Sequence, residues 1–200
     1  ILDRMTAIER LLETEPQWRG KLVFIQVAAP SRSKLPVYQE LQRHTAEAIE
    51  RINQRFGTAD YKPVILAGEH WNPDRVYTLY RACDFCVVNS LHDGMNLVAK
   101  EFVAARDGDD AVLGLSPFAG ASRELVEALL INPFDVDGTA QAISQALRMP
   151  RDGRRERMRV MRHTVRYNNV FRWAGRMLMD AARIRQRQQL QGLSVQEIRG

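Results

Sequence analysis

An aspartate, a glycine and an asparagine stand just ahead of a helical pattern in the run Ser90-Leu91-His92-Asp93-Gly94-Met95-Asn96-Leu97-Val98-Ala99-Lys100-Glu101. The apolar residues before them, 85–89, read as a strand. Gly94 permits a tight turn or a close backbone approach. A helix that begins near Leu97 presents unpaired backbone N–H groups and the positive end of its dipole, which together suit a phosphate. Asp93 adds a carboxylate to the same cleft. Glu101 follows Leu97 by one helical turn, so both can face one ligand. A capped helix behind an Asp/Asn turn accounts for the same residues without a ligand, and spacing alone leaves both readings open.

Other reactive side chains are sparse. Cys83 and Cys86 form a lone C-x-x-C. A structural zinc wants four ligands and no second pair exists, so no metal site is expected. Buried, reduced thiols fit better, and they suit a cytoplasmic protein. His70 and His92 stand in loops, where hydrogen bonding explains them as well as catalysis does. His44 and His163 read as surface or interface residues. The formal net charge is +5 and the pI about 9.6, with much of the excess between Arg151 and Arg187. Such a balance suits an anionic partner. The Arg-rich stretch 151–166 reads as a solvated helix face and not as a nucleic-acid patch, because it lacks interleaved aromatics. Met158, Met161, Met177, Leu178 and Met179 read as core packing.

These residues need elements to position them. The chain has 200 residues, 45% hydrophobic and 26% charged, which suits one globular domain or a large part of one. No apolar run reaches the roughly 20 residues of a membrane span. The start, Ile1-Leu2-Asp3-Arg4, has no initiator Met, basic region or cleavage site, and reads as a cut inside a longer protein. Helical patterns at 4–13, 37–56, 74–83, 97–106, 123–129, 138–148 and 152–187 alternate with apolar runs at 22–28, 63–67, 85–89, 111–115 and 129–131. Continuous apolar runs between helices predict an α/β fold whose parallel strands are covered on both faces. Ligands of such sheets sit beyond the carboxyl ends of the strands. The loops 29–36, 68–73, 90–96 and 116–122 are therefore the candidates.

The nine residues D-G-M-N-L-V-A-K-E from Asp93 to Glu101 resemble the signature of the trehalose-6-phosphate synthase family and of close relatives such as glucosylglycerol-phosphate synthase. Other segments agree in order. Ala28-Ala29-Pro30-Ser31-Arg32 and the following Val37-Tyr38 resemble the family's A-P-(S/T)-(S/T)-R loop and next helix. Glu69-His70-Trp71 resembles its aromatic loop, Ser116-Pro117-Phe118-Ala119-Gly120-Ala121 its L-S-x-F-A-G-A, and Ile131-Asn132-Pro133-Phe134-Asp135 its V-N-P-Y-D. The resemblance implies a Rossmann-like parallel sheet with helices on both faces. This would be the carboxyl-terminal lobe of a GT-B glycosyltransferase, truncated at its N-terminus. Residues 1–185 would be the nucleotide-sugar-binding lobe and 186–200 a fraying helix or linker.

The implied reaction is glucosyl transfer with retention from UDP-glucose, or another nucleotide-glucose, to glucose 6-phosphate, giving trehalose 6-phosphate. No cofactor or bound metal is expected. Asp93 is the implied catalytic residue, hydrogen-bonding the transferred glucose and not attacking it covalently. Gly94, Met95, Asn96, Leu97 and Val98 would bind the glucosyl and diphosphate groups. Trp71, Leu97, Val98, Ala99, Lys100 and Glu101 would bind the nucleotide, with Glu101 accepting both ribose hydroxyls. Arg32 would reach the acceptor's phosphate, where a planar fork gives directional binding.

The sequence departs from the family in several places. A basic D-Y-x-K-G segment that grips the diphosphate is not among these residues, nor is the amino-terminal lobe with most of the acceptor pocket. That segment follows a central strand, so unpaired sheet edges are expected, and the residues alone are expected to be inactive and poorly stable. Pro117 replaces a usual Gln or Glu, and Gly114 interrupts an apolar strand. The alternatives are a transferase using glycerol 3-phosphate and a non-catalytic regulatory relative. Neither nucleic acid nor membrane is an expected partner, while self-association stays open.

Overall fold

The computed structural model describes residues 1–28, 35–68, 71–106, 108 and 110–197, with side chains as far as 188. Helices α1 (Leu2–Thr14), α2 (Pro36–Phe56), α3 (Pro73–Ala82), α4 (Leu97–Ala105), α5 (Val136–Arg148), α6 (Arg151–Tyr167) and α7 (Val170–Glu197) interleave with strands β1 (Phe24–Val27), β2 (Val64–Ala67), β3 (Phe85–Val88), β4 (Val112–Leu115) and β5 (Leu129–Leu130). All the strand pairs are parallel, as the apolar runs predict. β1 pairs with β2 from Phe24–Val64 onward, and β3, β4 and β5 form a second sheet in that order.

The helices cover both faces. Met5, Ile8, Leu11 and Leu12 form a buried stripe along α1, at the spacing of one helical face. They pack with Ile49 and Ile52 of α2, Val64 of β2 and Ile143 of α5, and with the partly buried Phe24, Phe85 and Val87. One helix thus lies against both sheets. Each such side chain contributes roughly 1.5–3 kcal/mol by leaving water. On the other face, Phe102 and Val103 of α4 meet Leu113 and Leu115 of β4 and Met158 and Met161 of α6.

β1 and β3 do not pair with each other among the described residues. Their edges line a cavity of about 190 Å³, together with Arg4 and Tyr80. This is where the unpaired edges expected of the sheet occur. Arg4 crosses the division at the carboxyl ends of the two strands. Its Nε donates to Asn89 Oδ1 at 2.7 Å, and its terminal nitrogens donate to Gln26 Oε1 and again to Asn89.

Three expectations fail. Residues 123–129 are not a helix: a 3-10 turn at Gly120–Arg123 is followed only by isolated turns, Leu125 N to Ala121 O and Ala128 N to Leu125 O. The short turn begins at Gly120, whose amide bonds to Asp93 O in the neighbouring loop. The long pattern 152–187 is broken after Tyr167. Asn168 closes α6, and Asn169 Oδ1 accepts the Arg172 amide to start α7. Met158 and Met161 are core residues, but Met177, Leu178 and Met179 are exposed on α7.

The structure accounts for Gly114. A Cβ there would sit 2.4 Å from Ile131 Cδ1 and 2.6 Å from Phe85 Cζ, so the two side chains close over the glycine. Gly114→Ala is expected to cost about 1–3 kcal/mol through overpacking. The denaturant midpoint should fall without a change in slope, and a wild-type midpoint would show that the core yields freely at this point.

Candidate functional site

β3 ends at the carboxyl edge of its sheet, and the chain must turn within residues 90–96 to enter α4. Asp93 Oδ1 accepts the backbone amides of Met95 at 3.1 Å and Asn96 at 3.0 Å, and its Oδ2 accepts Asn96 Nδ2 at 2.9 Å. Asn96 has φ 69°, the only positive φ outside glycine among the described residues. Asparagine tolerates this left-handed conformation better than most residues. Its Oδ1 caps α4 by accepting the Ala99 amide at 3.0 Å, and its Nδ2 also reaches Ser90 Oγ at 3.2 Å.

These donors hold the Asp93 carboxyl below the ordinary aspartate range. The Met95 amide acts most strongly, and Asn96 and the nearby His92 assist. Asp93 is therefore ionised at neutral pH. The stability it lends the turn is complete above the ordinary aspartate pKa and is lost as pH falls through the depressed value.

The same bonds decide which amides can meet an anion. Those of Met95 and Asn96 already serve Asp93, and that of Ala99 serves Asn96. Leu97 and Val98 open the helix and have no partner within it, and with Gly94 they form the available cradle. Met95, Leu97 and Val98 are exposed apolar side chains around it.

The other expected residues divide. Glu101 is half-buried one turn into α4 and has no hydrogen bond or ion pair among the described residues. Ala99 is fully buried, and Lys100 turns away to Glu124, with Nζ 2.7 Å from Oε1. Neither side chain reaches the cradle. Trp71 is half-buried just before α3, where Asn72 Oδ1 accepts the Arg75 amide and the Arg75 guanidinium lies 4.0 Å from the indole centroid. Arg32, Glu69 and His70, with the 29–34 loop, lie outside the described residues.

The loop after β4 belongs to the site. Asp93 N donates to Phe118 O at 3.2 Å, Gly120 N to Asp93 O at 2.9 Å and Ala121 N to Met95 O at 2.7 Å. An Asp93–Ala119 bridge continues the β3–β4 pairing beyond the strands. Sequence reading placed Ser90, Ser116 and Gly120 in candidate loops but gave them no role. The small residues Ala119-Gly120-Ala121 directly after an apolar strand were the available signal of a close backbone approach.

Among the described residues no cluster of His, Cys, Asp or Glu could hold a metal ion. Cys83 and Cys86 are free. Burial pushes their thiols up to about 11 and about 12, so both stay protonated and unreactive. No helix of the described residues is long and apolar enough to cross a membrane.

The sequence profile of glycosyltransferase family 20 matches residues 1–183. A bifunctional trehalose-6-phosphate synthase/phosphatase of Thermoproteus tenax is 43% identical over 173 residues, which are 86% of this chain and 24% of that protein. The solved structure of a UDP-forming alpha,alpha-trehalose-phosphate synthase from Burkholderia xenovorans, in complex with glucose-6-phosphate, superposes with a TM-score of 0.86. It is 40% identical and covers 89% of this chain and 40% of its own. A structure described as trehalose-6-phosphate from E. coli bound with UDP-2-fluoro glucose has a TM-score of 0.86 at 37% identity, with the same two coverages. The chain thus spans well under half the length of these relatives.

The geometry makes Asn96 separable into cap and conformation. Asn96→Ala is expected to cost about 1–2 kcal/mol, since it loses the cap and keeps a Cβ at positive φ. Asn96→Gly should cost less, because glycine accepts that φ freely. Equal losses in urea melts would show that the left-handed backbone carries no strain.

Proposed function

The chain belongs to glycosyltransferase family 20, and from that membership we propose that it forms the donor-binding part of a retaining glucosyltransferase that moves glucose from UDP-glucose to glucose 6-phosphate, giving trehalose 6-phosphate. One observation carries the reading: an ionised Asp93 and the amides of Gly94, Leu97 and Val98 converge at the start of α4, one turn before Glu101, which has no hydrogen bond or ion pair among the described residues. On this reading residues 1–185 are the donor lobe of a GT-B enzyme. A second lobe completes the acceptor pocket, with Arg32 directed at the acceptor's phosphate.

Each group then has a task. The α4 amides and dipole stabilise the charge that grows on the departing diphosphate. Asp93 Oδ2 takes one bond from Asn96 and keeps acceptor capacity for a glucose hydroxyl. Asp93 is an orienting acceptor in this scheme, with the acceptor substrate itself attacking the anomeric carbon. Glu101 offers two oxygens to the ribose hydroxyls, and Trp71 offers an indole face near the base. The relatives are trehalose-phosphate synthases, two of them solved with glucose-6-phosphate and with UDP-2-fluoro glucose. They favour the hexose phosphate over glycerol 3-phosphate as acceptor.

The test uses the full-length protein. Asp93→Ala should lower kcat by roughly 100-fold while UDP affinity changes little. Glu101→Ala should weaken UDP binding by about 10- to 100-fold, the loss of hydrogen bonds to a charged acceptor. Wild-type kinetics in both variants would remove the site assignment. A wild-type protein that binds UDP-glucose without transferring glucose would point to the regulatory reading instead.

A further inference from the structure

Gly120 lies in the second loop, outside every expected contact with substrate. Its surroundings are nevertheless closed. A Cβ on Gly120 would stand 2.0 Å from the Gly94 carbonyl oxygen, 2.8 Å from its carbon and 3.3 Å from Met95 Cα. These are backbone atoms, which cannot rotate aside as a side-chain tip can. Gly120 has no positive φ, so its backbone would accept alanine. Only the Gly94 peptide excludes a side chain.

The loop around Gly120 is itself anchored. Ser116 is fully buried. Its amide donates to Val88 O at 2.8 Å, and its Oγ accepts the Phe118 amide at 3.1 Å. The next residues bind Asp93 and Met95 through the three backbone hydrogen bonds between the loops. The Asp93 and Met95 carbonyls therefore face the second loop, and the Gly94 amide is left on the open side. Glu101 lies farther along α4, one turn beyond the junction.

Resting on the donor-site reading above, we propose that Gly120 is a positioning residue for glucosyl transfer. Its missing side chain lets the second loop press on Gly94 and set the Asp93–Asn96 backbone against the transferred sugar. The nucleotide end of the site, at Glu101 one turn farther along α4, depends on it less.

The experiment is Gly120→Ala in the full-length protein. It is expected to lower kcat by about 10- to 100-fold, the size of loss that a displacement near 1 Å produces. UDP affinity by calorimetry should stay within about threefold, and UDP-glucose should lose its advantage over UDP. A purely structural role would weaken UDP and UDP-glucose alike, and that outcome would overturn the proposal. So would an unchanged kcat. Should Gly120→Ala not fold, Ser116→Ala removes the acceptor of the Phe118 amide without adding an atom. It should give a smaller fall in kcat with the same UDP affinity, and wild-type kinetics there would equally overturn the proposal. A wild-type protein with no transferase activity would count against the donor-site reading. An active wild type with a normal Gly120→Ala counts against Gly120 alone.

Discussion

The junction between β3 and α4 depends on one residue holding a left-handed backbone. Asn96 must turn the chain, close the helix start and keep its own side chain bonded on both sides. It does so with φ 69° while capping Ala99 and reaching Asp93 and Ser90. Glycine would accept the turn without the cap, and serine would cap without accepting the turn as easily. Asp93 completes the constraint by taking the two amides that the turn would otherwise leave open.

Packing makes this arrangement rigid. Phe102 and Val103 bury α4 against β4, so the helix start cannot slide along the sheet. At the other end of α4, the buried Arg106 donates to the carbonyls of Tyr80, Arg81 and Cys83 at 2.6–3.0 Å. The free carbonyls of α3 and the end of α4 thus share one anchor. The parallel register of β3 on β4 sets the two loops side by side, and their backbone hydrogen bonds continue that register past the strands. The site is held from β4 as much as from its own helix.

Sequence periodicity was enough for the strands and most helices, because buried parallel strands are short apolar runs and the helices between them are amphipathic. It failed where long-range contacts decide. Residues 123–129 carry a helical pattern, yet a 3-10 turn ends at Arg123 and only isolated turns follow before β5. The break at Asn168-Asn169 rests on side-chain caps within an otherwise helical run. At the site, the turn and helix cap made by Asp93, Gly94 and Asn96 were legible in their order. The direction of Lys100 was not, since Glu124 lies 24 residues away. The engagement of the Met95 and Asn96 amides was equally hidden, because it follows from a backbone conformation and not from residue type.

The distribution of positive charge separates the chain's basic balance from the proposed anion site. Arg154 donates to the carbonyls of Leu147 and Met149, Arg157 to that of Glu127, and Arg106 to the end of α3. Arg154 and Arg106 oppose the negative dipole ends of α5 and α3, and Arg157 ties α6 to the turn before β5, so these arginines serve the fold. No arginine or lysine bonds to residues 90–98 among the described residues. The cradle at α4 then rests on backbone amides and a helix dipole worth roughly half an elementary charge, beside an ionised Asp93 that works against an anion. Half a charge orients a diphosphate but does not balance one. On the donor-site reading, the cradle supplies direction more than charge balance.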